Sequence, residues 1–348
     1  MSRIAAVAPV LPEHAYSQAR ITEELAPLLT SSASSRAVLE RMHGAAGIGT
    51  RHTALPLERY RDLGDFREAN DLYIRCATEL AQQAVAAALA QAGLAPRDVD
   101  FVLFTSVTGI AAPSIDAALV PRLGMRPDVK RLPSFGLGCV AGASGIARVH
   151  DYLEGHPGEV GLLVSVELCS LTLQRGDSSV GNYVATGLFG DGGAAVVLVG
   201  DDREEPGPVV RGTRSVLIPD SADVIGWAVG GTGFEIVLTP AVAEIIARHF
   251  PREVHAVLAE HGLAASEVAA WIAHPGGPRV LDSFEQALDL GPHDLARSWA
   301  CLDRVGNLSS AAVLHVLADT LDSEVSGPAL LFALGPGVSA EFVLLELP

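Results

Sequence analysis

Cys139 has the most chemical promise of any residue in this 348-residue sequence. It stands in FGLGCVAGA, flanked by Gly136, Gly138 and Gly142, at the start of a predicted helix. A helix N-terminus presents unpaired N–H groups and partial positive charge, which predicts a lowered thiol pKa. The glycines let the backbone approach an acyl carbonyl, and the Cys139 N–H can donate to its oxygen. The plainer alternative is a small core cysteine. That reading serves for Cys76, Cys169 and Cys301, which lack CxxC spacing and sit in apolar settings.

Two further residues complete a set. His274 ends AAWIAHPGGP, where Pro275, Gly276, Gly277 and Pro278 make a stiff, open turn after a predicted strand. Asn307 follows Gly306 and precedes LSSAAV; by itself it reads as a helix N-cap. Cys, His and Asn suit either a papain-like protease or thioester chemistry. The protease places its nucleophile near the mature N-terminus in CG[SA]C[WY], and nothing here matches. In thioester chemistry the thiol attacks an acyl thioester. His and Asn then donate to the carbonyl oxygen of a malonyl thioester as CO2 leaves, stabilising the enolate with neither base nor metal.

An internal repeat places these residues. GLAPRDVDFVLFTS begins at Gly93 and GLAASEVAAWIAHP at Gly262, an offset of 262 − 93 = 169. The first follows a helix predicted over about 66–92, the second one over about 240–261. FGLGCVAGASG and RVGNLSSAAV each read as a glycine-bearing turn opening a helix, with Cys139 and Asn307 separated by 307 − 139 = 168. Apolar strands follow both, at Val160–Val166 and Ala329–Leu334, and each half closes on another. The expected molecule is a duplicated α/β protein with halves 1–203 and 204–348, packed face to face in five layers. Equivalent loops converge at the carboxyl ends of strands, where ligands bind, and the offset sets Asn307 opposite Cys139.

Composition narrows the classes. Lys and Arg total 24 against 41 Asp and Glu, a net charge of −17 that disfavours nucleic acid and anionic membranes. Hydrophobic residues make up 49%, and the mean hydropathy of +0.32 suggests a large core and a buried interface. No uncharged stretch is long enough to span a bilayer, and the N-terminus reads as a first strand rather than a signal peptide. A reduced, cytoplasmic protein without disulfides or a zinc site is expected. GGTG at Gly230–Gly233 lacks a strand–GxGxxG–helix setting, and GxxxxGK[ST] is absent, so no nucleotide cofactor is expected.

FGLGCVAGA, GLFGDGGAAV around Phe189, WIAHPGGPRVLD, VGNLSSA and the Gly335-Pro336-Gly337 loop resemble the type III polyketide synthases, the chalcone synthase-like family on the thiolase fold. The resemblance spans nearly the whole chain. It implies an αβαβα fold, with Cys139 as acyl-holding nucleophile and His274 and Asn307 in decarboxylation. Phe189 and Phe234 would gate the passage between a CoA tunnel and a cavity walled by Val107, Thr108, Cys169, Thr172, Ile225 and Ser309. Glu167 would be the buried carboxylate behind the site. A homodimer is implied, with Ala112 and Pro113 approaching the partner's cavity. Substrates would be acyl-CoA and malonyl-CoA, with no cofactor. Of three basic positions gripping CoA phosphates in plant members only Arg41 is kept, with Val38 and Ala45 at the others. Either another residue such as Arg51 holds CoA, or an acyl-carrier protein delivers the starter.

SVTGIAAPSID and SLTLQRGDSSVGNYVATGLFGDG resemble bacterial alkylpyrone and alkylresorcinol synthases. The leading expectation is therefore iterative condensation of malonyl units onto a fatty acyl starter, then cyclisation to a pyrone or resorcinol. A malonyl-only tetrahydroxynaphthalene synthase and a single-condensation 3-oxoacyl-carrier-protein synthase III are the alternatives. HPGGP argues against the latter, which typically carries Gln-Ala-Asn after its His. An inactive thiolase-fold acyl-binding protein is the reading from a different class, and the intact Cys/His/Asn set weighs against it.

Overall fold

The two halves begin their sheets in the same way. A computed structural model describes all 348 residues. In chain order the elements are β1 (Ser2–Val10), β2 (His14–Ser17), α1 (Gln18–Leu29), α2 (Ala33–Gly44), β3 (Thr50–Thr53), α3 (Phe66–Ala92), β4 (Phe101–Thr105), α4 (Ile115–Leu123), β5 (Lys130–Ser134), α5 (Ala141–Glu154), β6 (Val160–Leu168), α6 (Val180–Leu188) and β7 (Asp191–Gly200). The second half holds β8 (Val209–Leu217), β9 (Ile225–Gly230), β10 (Gly233–Leu238), α7 (Val242–Glu260), β11 (Ala270–Ala273), α8 (Pro278–Leu288), α9 (Ala296–Val305), α10 (Ala312–Leu321), β12 (Gly327–Gly335) and β13 (Ser339–Leu347).

The predicted long helix is α3, capped by Asp65, whose carboxylate accepts from the Glu68 N–H at 3.0 Å. It stops at Gly93, whose φ of +68° is left-handed; Gly262, two residues past α7, has φ +70°. A one-turn helix then leads into β4 or β11. In each the carboxylate closing the turn, Asp98 or Glu267, accepts from a backbone N–H, Ala95 or Ala264, at 2.8 Å.

The helix register corrects the expected pairing of Cys139 with Asn307. One-turn helices at Gly138–Val140 and Ser309–Ala311 open α5 and α10. Those helices start 312 − 141 = 171 residues apart, so Cys139 corresponds to Ser310. The residue before each turns left-handed, Gly138 at φ +53° and Ser309 at φ +50°. Asn307 lies upstream, in a loop whose length is free to differ between copies where helix register is not.

Strand order is β11-β12-β13-β8-β1-β7-β6-β4-β5 in one nine-stranded sheet. Its two halves are joined by a short antiparallel pairing, Ser2 with Val210 and Arg3 with Val209. Both half-sheets clasp the middle helices, since α5 touches strands from β4 to β13 and α10 touches β1, β7, β11 and β12. Three apolar clusters follow from this layering. One lies between α3 and the first half-sheet, one around α5 and α10, and one between the second half-sheet and α7–α8. The fold is therefore the five-layer αβαβα arrangement of the thiolase type. Strand residues in the middle are buried on both faces, which explains runs such as VGLLVSVEL. The edge strand β5, KRLPS, is exposed over most of its length, whereas β11 is buried throughout. No helix is long and apolar enough to cross a membrane.

Candidate active site

Cys139 sits in the one-turn helix before α5, against the end of β12. The approach is close. A Cβ on Gly138 would lie 2.6 Å from the Pro336 ring, and one on Gly335 would lie 2.5 Å from the Leu137 carbonyl. Small residues on both sides are what let the Gly-Pro-Gly loop seat against the Cys139 turn. Its Sγ lies 3.7 Å from Ser309 Oγ. The thiol opens onto a cavity, and burial pushes it up to about 12. Hydrogen bonds from Ser309 and Asn307 pull the other way, and the negative Glu167 adds to the rise. Burial and the helix start thus act on this thiol in opposite directions. A helix terminus is worth about 0.3–1 kcal/mol, up to about 2, close to one pKa unit, too little to offset desolvation.

Asn307 is held by four hydrogen bonds. Its N–H donates to the Leu188 carbonyl at 3.0 Å and its carbonyl accepts from the Gly190 N–H at 3.0 Å. The Ser309 N–H donates to Oδ1 at 2.8 Å, and Nδ2 donates to the Gly276 carbonyl at 3.2 Å. A backbone N–H can only donate, so Oδ1 is fixed by Ser309 and the second Nδ2 hydrogen is left on the side of the Cys139 thiol. That is a preset donor.

His274 follows β11, its N–H donating to the Phe332 carbonyl at 2.9 Å. Its ring is 2% exposed, and neither Nδ1 nor Nε2 has a partner. Burial lowers its pKa to about 3, which makes it a neutral imidazole. An unpaired buried polar group costs about 1–3 kcal/mol, so two in one ring mark a group kept free for a ligand. The Gly276 carbonyl that binds Asn307 belongs to the same HPGG turn.

Glu167, at the end of β6, is buried behind this set. Oε2 accepts from Ser106 Oγ at 3.2 Å, the Val107 N–H at 3.0 Å and Thr108 Oγ1 at 2.9 Å; Oε1 accepts from Ser310 Oγ. Burial raises its pKa, and these donors counter the rise.

A cavity opens in front of Cys139. Val107, Thr108, Cys169, Thr172, Ile225 and Ser309 all line it, as do Phe189 and Phe234. The Phe234 ring is 3% exposed and packs between Phe66 and Trp227, with centroids 5.4 and 6.0 Å away. His274 and Asn307 stand behind this wall. No group of three His, Cys, Asp or Glu side chains is arranged to hold a metal ion.

Arg51 is not at the mouth. It is 4% exposed, in the cavity wall, donating from Nε to Gln18 Oε1 at 2.9 Å and from Nη1 to the Phe189 carbonyl at 2.6 Å. Burial lowers its pKa to about 10. Arg41 is exposed in the last turn of α2 with no ion-pair partner, while Val38 is half-buried and Ala45 exposed. Ala112 and Pro113 are exposed in the loop before α4.

Several wall residues carried no signal in the sequence. Tyr60 and Trp227 belong to no motif. Asp191 could have been found, since it sits in the GDGG that follows Phe189. Its carboxylate accepts from the Ser170 N–H at 2.8 Å, from the Ala54 N–H at 2.6 Å and from Ser170 Oγ. Burial raises Asp191 to about 6.

A free thiol on a cavity wall, with a preset amide donor and a buried, unpaired imidazole on the loops behind it, fits an acyl-condensing enzyme of the thiolase type. The chain belongs to the chalcone and stilbene synthases. It matches the family's N-terminal domain over residues 1–203 and its C-terminal domain over residues 210–347. Its activity class is that of the type III polyketide synthases. Among curated relatives, a 1,3,6,8-tetrahydroxynaphthalene synthase of Streptomyces peucetius subsp. caesius is 48% identical over 99% of this chain and 92% of its own. An alpha-pyrone synthesis polyketide synthase-like protein of Mycobacterium tuberculosis is 29% identical over 97% and 88%. Among solved structures, the tetrahydroxynaphthalene synthase of Streptomyces coelicolor superposes with a TM-score of 0.93 at 32% identity, covering 99% of each chain.

Proposed function

We propose that this enzyme makes 1,3,6,8-tetrahydroxynaphthalene from malonyl-CoA alone, in place of the alkylpyrone or alkylresorcinol that the sequence motifs suggested. The 48% identity to a synthase of that name carries the reading. The cavity wall supports it. The Trp227 indole stands in that wall and occupies space a long alkyl chain would need.

In this reading Cys139 attacks the thioester carbonyl of the starter and its proton passes to the neutral His274 ring. The new C–S bond forms as CoA thiolate leaves, and the imidazolium returns the proton to it. A malonyl-CoA then places its thioester oxygen between a His274 N–H and the second Nδ2 hydrogen of Asn307. The C–C bond to the carboxylate breaks, CO2 departs, and both donors stabilise the enolate oxygen. The enolate carbon attacks the acyl carbonyl on Cys139, and the Cys139 thiolate leaves. The chain, now on CoA, returns to Cys139 for another round. Phe189 and Phe234 gate the entrance, and Glu167 holds the wall behind. None of these steps requires a cofactor. Arg41 is the residue assigned to CoA phosphates, with an acyl-carrier protein as alternative donor.

The enzyme acts as a homodimer in this reading. Edge strand β5 has no strand on its outer side, and Leu132, Phe135 and Ile110 are each about half exposed near it. Sedimentation would show a dimer, and Leu132→Asp would weaken it.

Purified enzyme given only malonyl-CoA should release CO2 and a product with the mass of tetrahydroxynaphthalene, and Cys139→Ala should form none of that product. Turnover that appears only when a fatty acyl-CoA is added would restore the alkyl-starter reading.

A further inference from the structure

Arg51 is the buried charge that the reaction as written does not use. Taking a guanidinium out of water costs several kcal/mol unless its hydrogen bonds are made, and here Nη2 has no partner. A neutral side chain could fill the same space. The two made bonds show what the charge holds.

Nη1 donates to the carbonyl of Phe189. Phe189 and Asn307 form a parallel bridge, secured by the Gly190 N–H on the Asn307 carbonyl and the Asn307 N–H on the Leu188 carbonyl. The Arg51 stem lies over the peptide preceding Asn307: a Cβ on Gly306 would sit 3.0 Å from its Cγ and Cδ, and Gly306 has φ +73°. Nε donates to Gln18, whose amide in turn donates to the His43 and Gly187 carbonyls at 3.1 and 2.7 Å. Asp191, the nearest carboxylate, opposes the charge without bonding to it.

We propose that Arg51 is a positioning residue that locks the gate residue Phe189 and the oxyanion donor Asn307 into one rigid unit. A planar fork bonded at two edges fixes direction in a way that an ammonium on a flexible stem does not. Displacing an oxyanion donor by a fraction of an ångström lowers the rate of enolate formation without changing how malonyl-CoA is first bound. The proposal rests on the reading of Asn307 as a donor in decarboxylation.

The test is a double-mutant cycle read by malonyl-CoA decarboxylation in full-length enzyme. Arg51→Met should lower kcat on the order of tenfold or more with KM nearly unchanged. Arg51→Lys, which keeps the charge but loses the fork, should be as poor. In an Asn307→Ala background the same Arg51→Met change should cost no more than about twofold, because the donor it positions is gone. Gln18→Leu, a milder change, should lower kcat in the wild-type background only, and it decides the matter if the Arg51 variants do not fold. Full kcat in Arg51→Lys, or equal losses in both backgrounds, would overturn the proposal. If Asn307→Ala itself keeps full decarboxylation, the reading of Asn307 fails instead, whatever Arg51 does.

Discussion

Ser310 occupies in the second half the position that Cys139 holds in the first. Both are central residues of a one-turn helix that opens a middle-layer helix, each preceded by a left-handed residue. The duplication has put them to different use. Cys139 faces the cavity, whereas Ser310 is fully buried, donating to Glu167 and lying 2.8 Å from Ser165 Oγ.

Ser310→Ala should therefore cost stability more than activity. It leaves a buried carboxylate one donor short, a penalty of about 1–3 kcal/mol, measurable by urea unfolding. A Cys139→Ala/Ser310→Cys double variant should stay inactive in condensation, since the second thiol would face Glu167. Recovered activity would refute the assigned orientation.

Gly142 cannot be enlarged. A Cβ there would sit 2.2 Å from the Ser310 carbonyl oxygen and 2.9 Å from Val313 Cγ1. Backbone cannot yield as a side-chain tip can, so Gly142→Ala should cost about 1–3 kcal/mol or more. Thermal unfolding would detect the shift.

The thiol of Cys139 should alkylate slowly at neutral pH. With its pKa pushed up to about 12, its iodoacetamide rate should still climb above pH 9, without a plateau near 7. Intact-mass measurement across pH gives the profile, and a plateau near neutrality would show a thiolate already present.

His274 should shape the acid limb of stability. Its folded value of about 3 lies below the unfolded value of about 6.5. Between the two the unfolded chain binds the extra proton, so stability falls as pH falls through that window. Replacing His274 with Asn should flatten the slope there by up to about 1.4 kcal/mol per pH unit. Urea midpoints at pH 5 and 7 would reveal an unchanged slope if the ring were already charged.

Trp227 should act as a filter on starters. Trp227→Ala opens the wall beside Phe234 and should admit medium-chain acyl-CoA, giving products heavier by the added chain. Unchanged rejection of acyl-CoA would place selection elsewhere.

Much of the scaffold was legible because periodicity and stop signals are local. Phe66–Ala92 and Phe101–Thr105 fall where helix and strand patterns place them. The Gly93 and Gly262 stops reveal the duplication. Cys139, His274 and Asn307 stood out through their glycine- and proline-rich turns, and the six residues expected on the wall fall along one cavity. What stayed hidden depends on long-range placement. Arg51 looked like a surface cation because nothing near it in sequence announces that Gln18 and the Phe189 carbonyl will receive it. The surroundings of the thiol were half legible for a related reason: a helix start can be read locally, whereas the depth at which a side chain is buried cannot.

The nine-stranded sheet has one further consequence. A continuous sheet has two ends, and here only β5 is exposed, β11 being buried throughout. Strand addition at a single end can join two copies about a twofold axis and then has nowhere left to propagate. In the proposed homodimer, the same topology that merges the halves would end self-assembly at a pair and keep the sheet from growing into filaments.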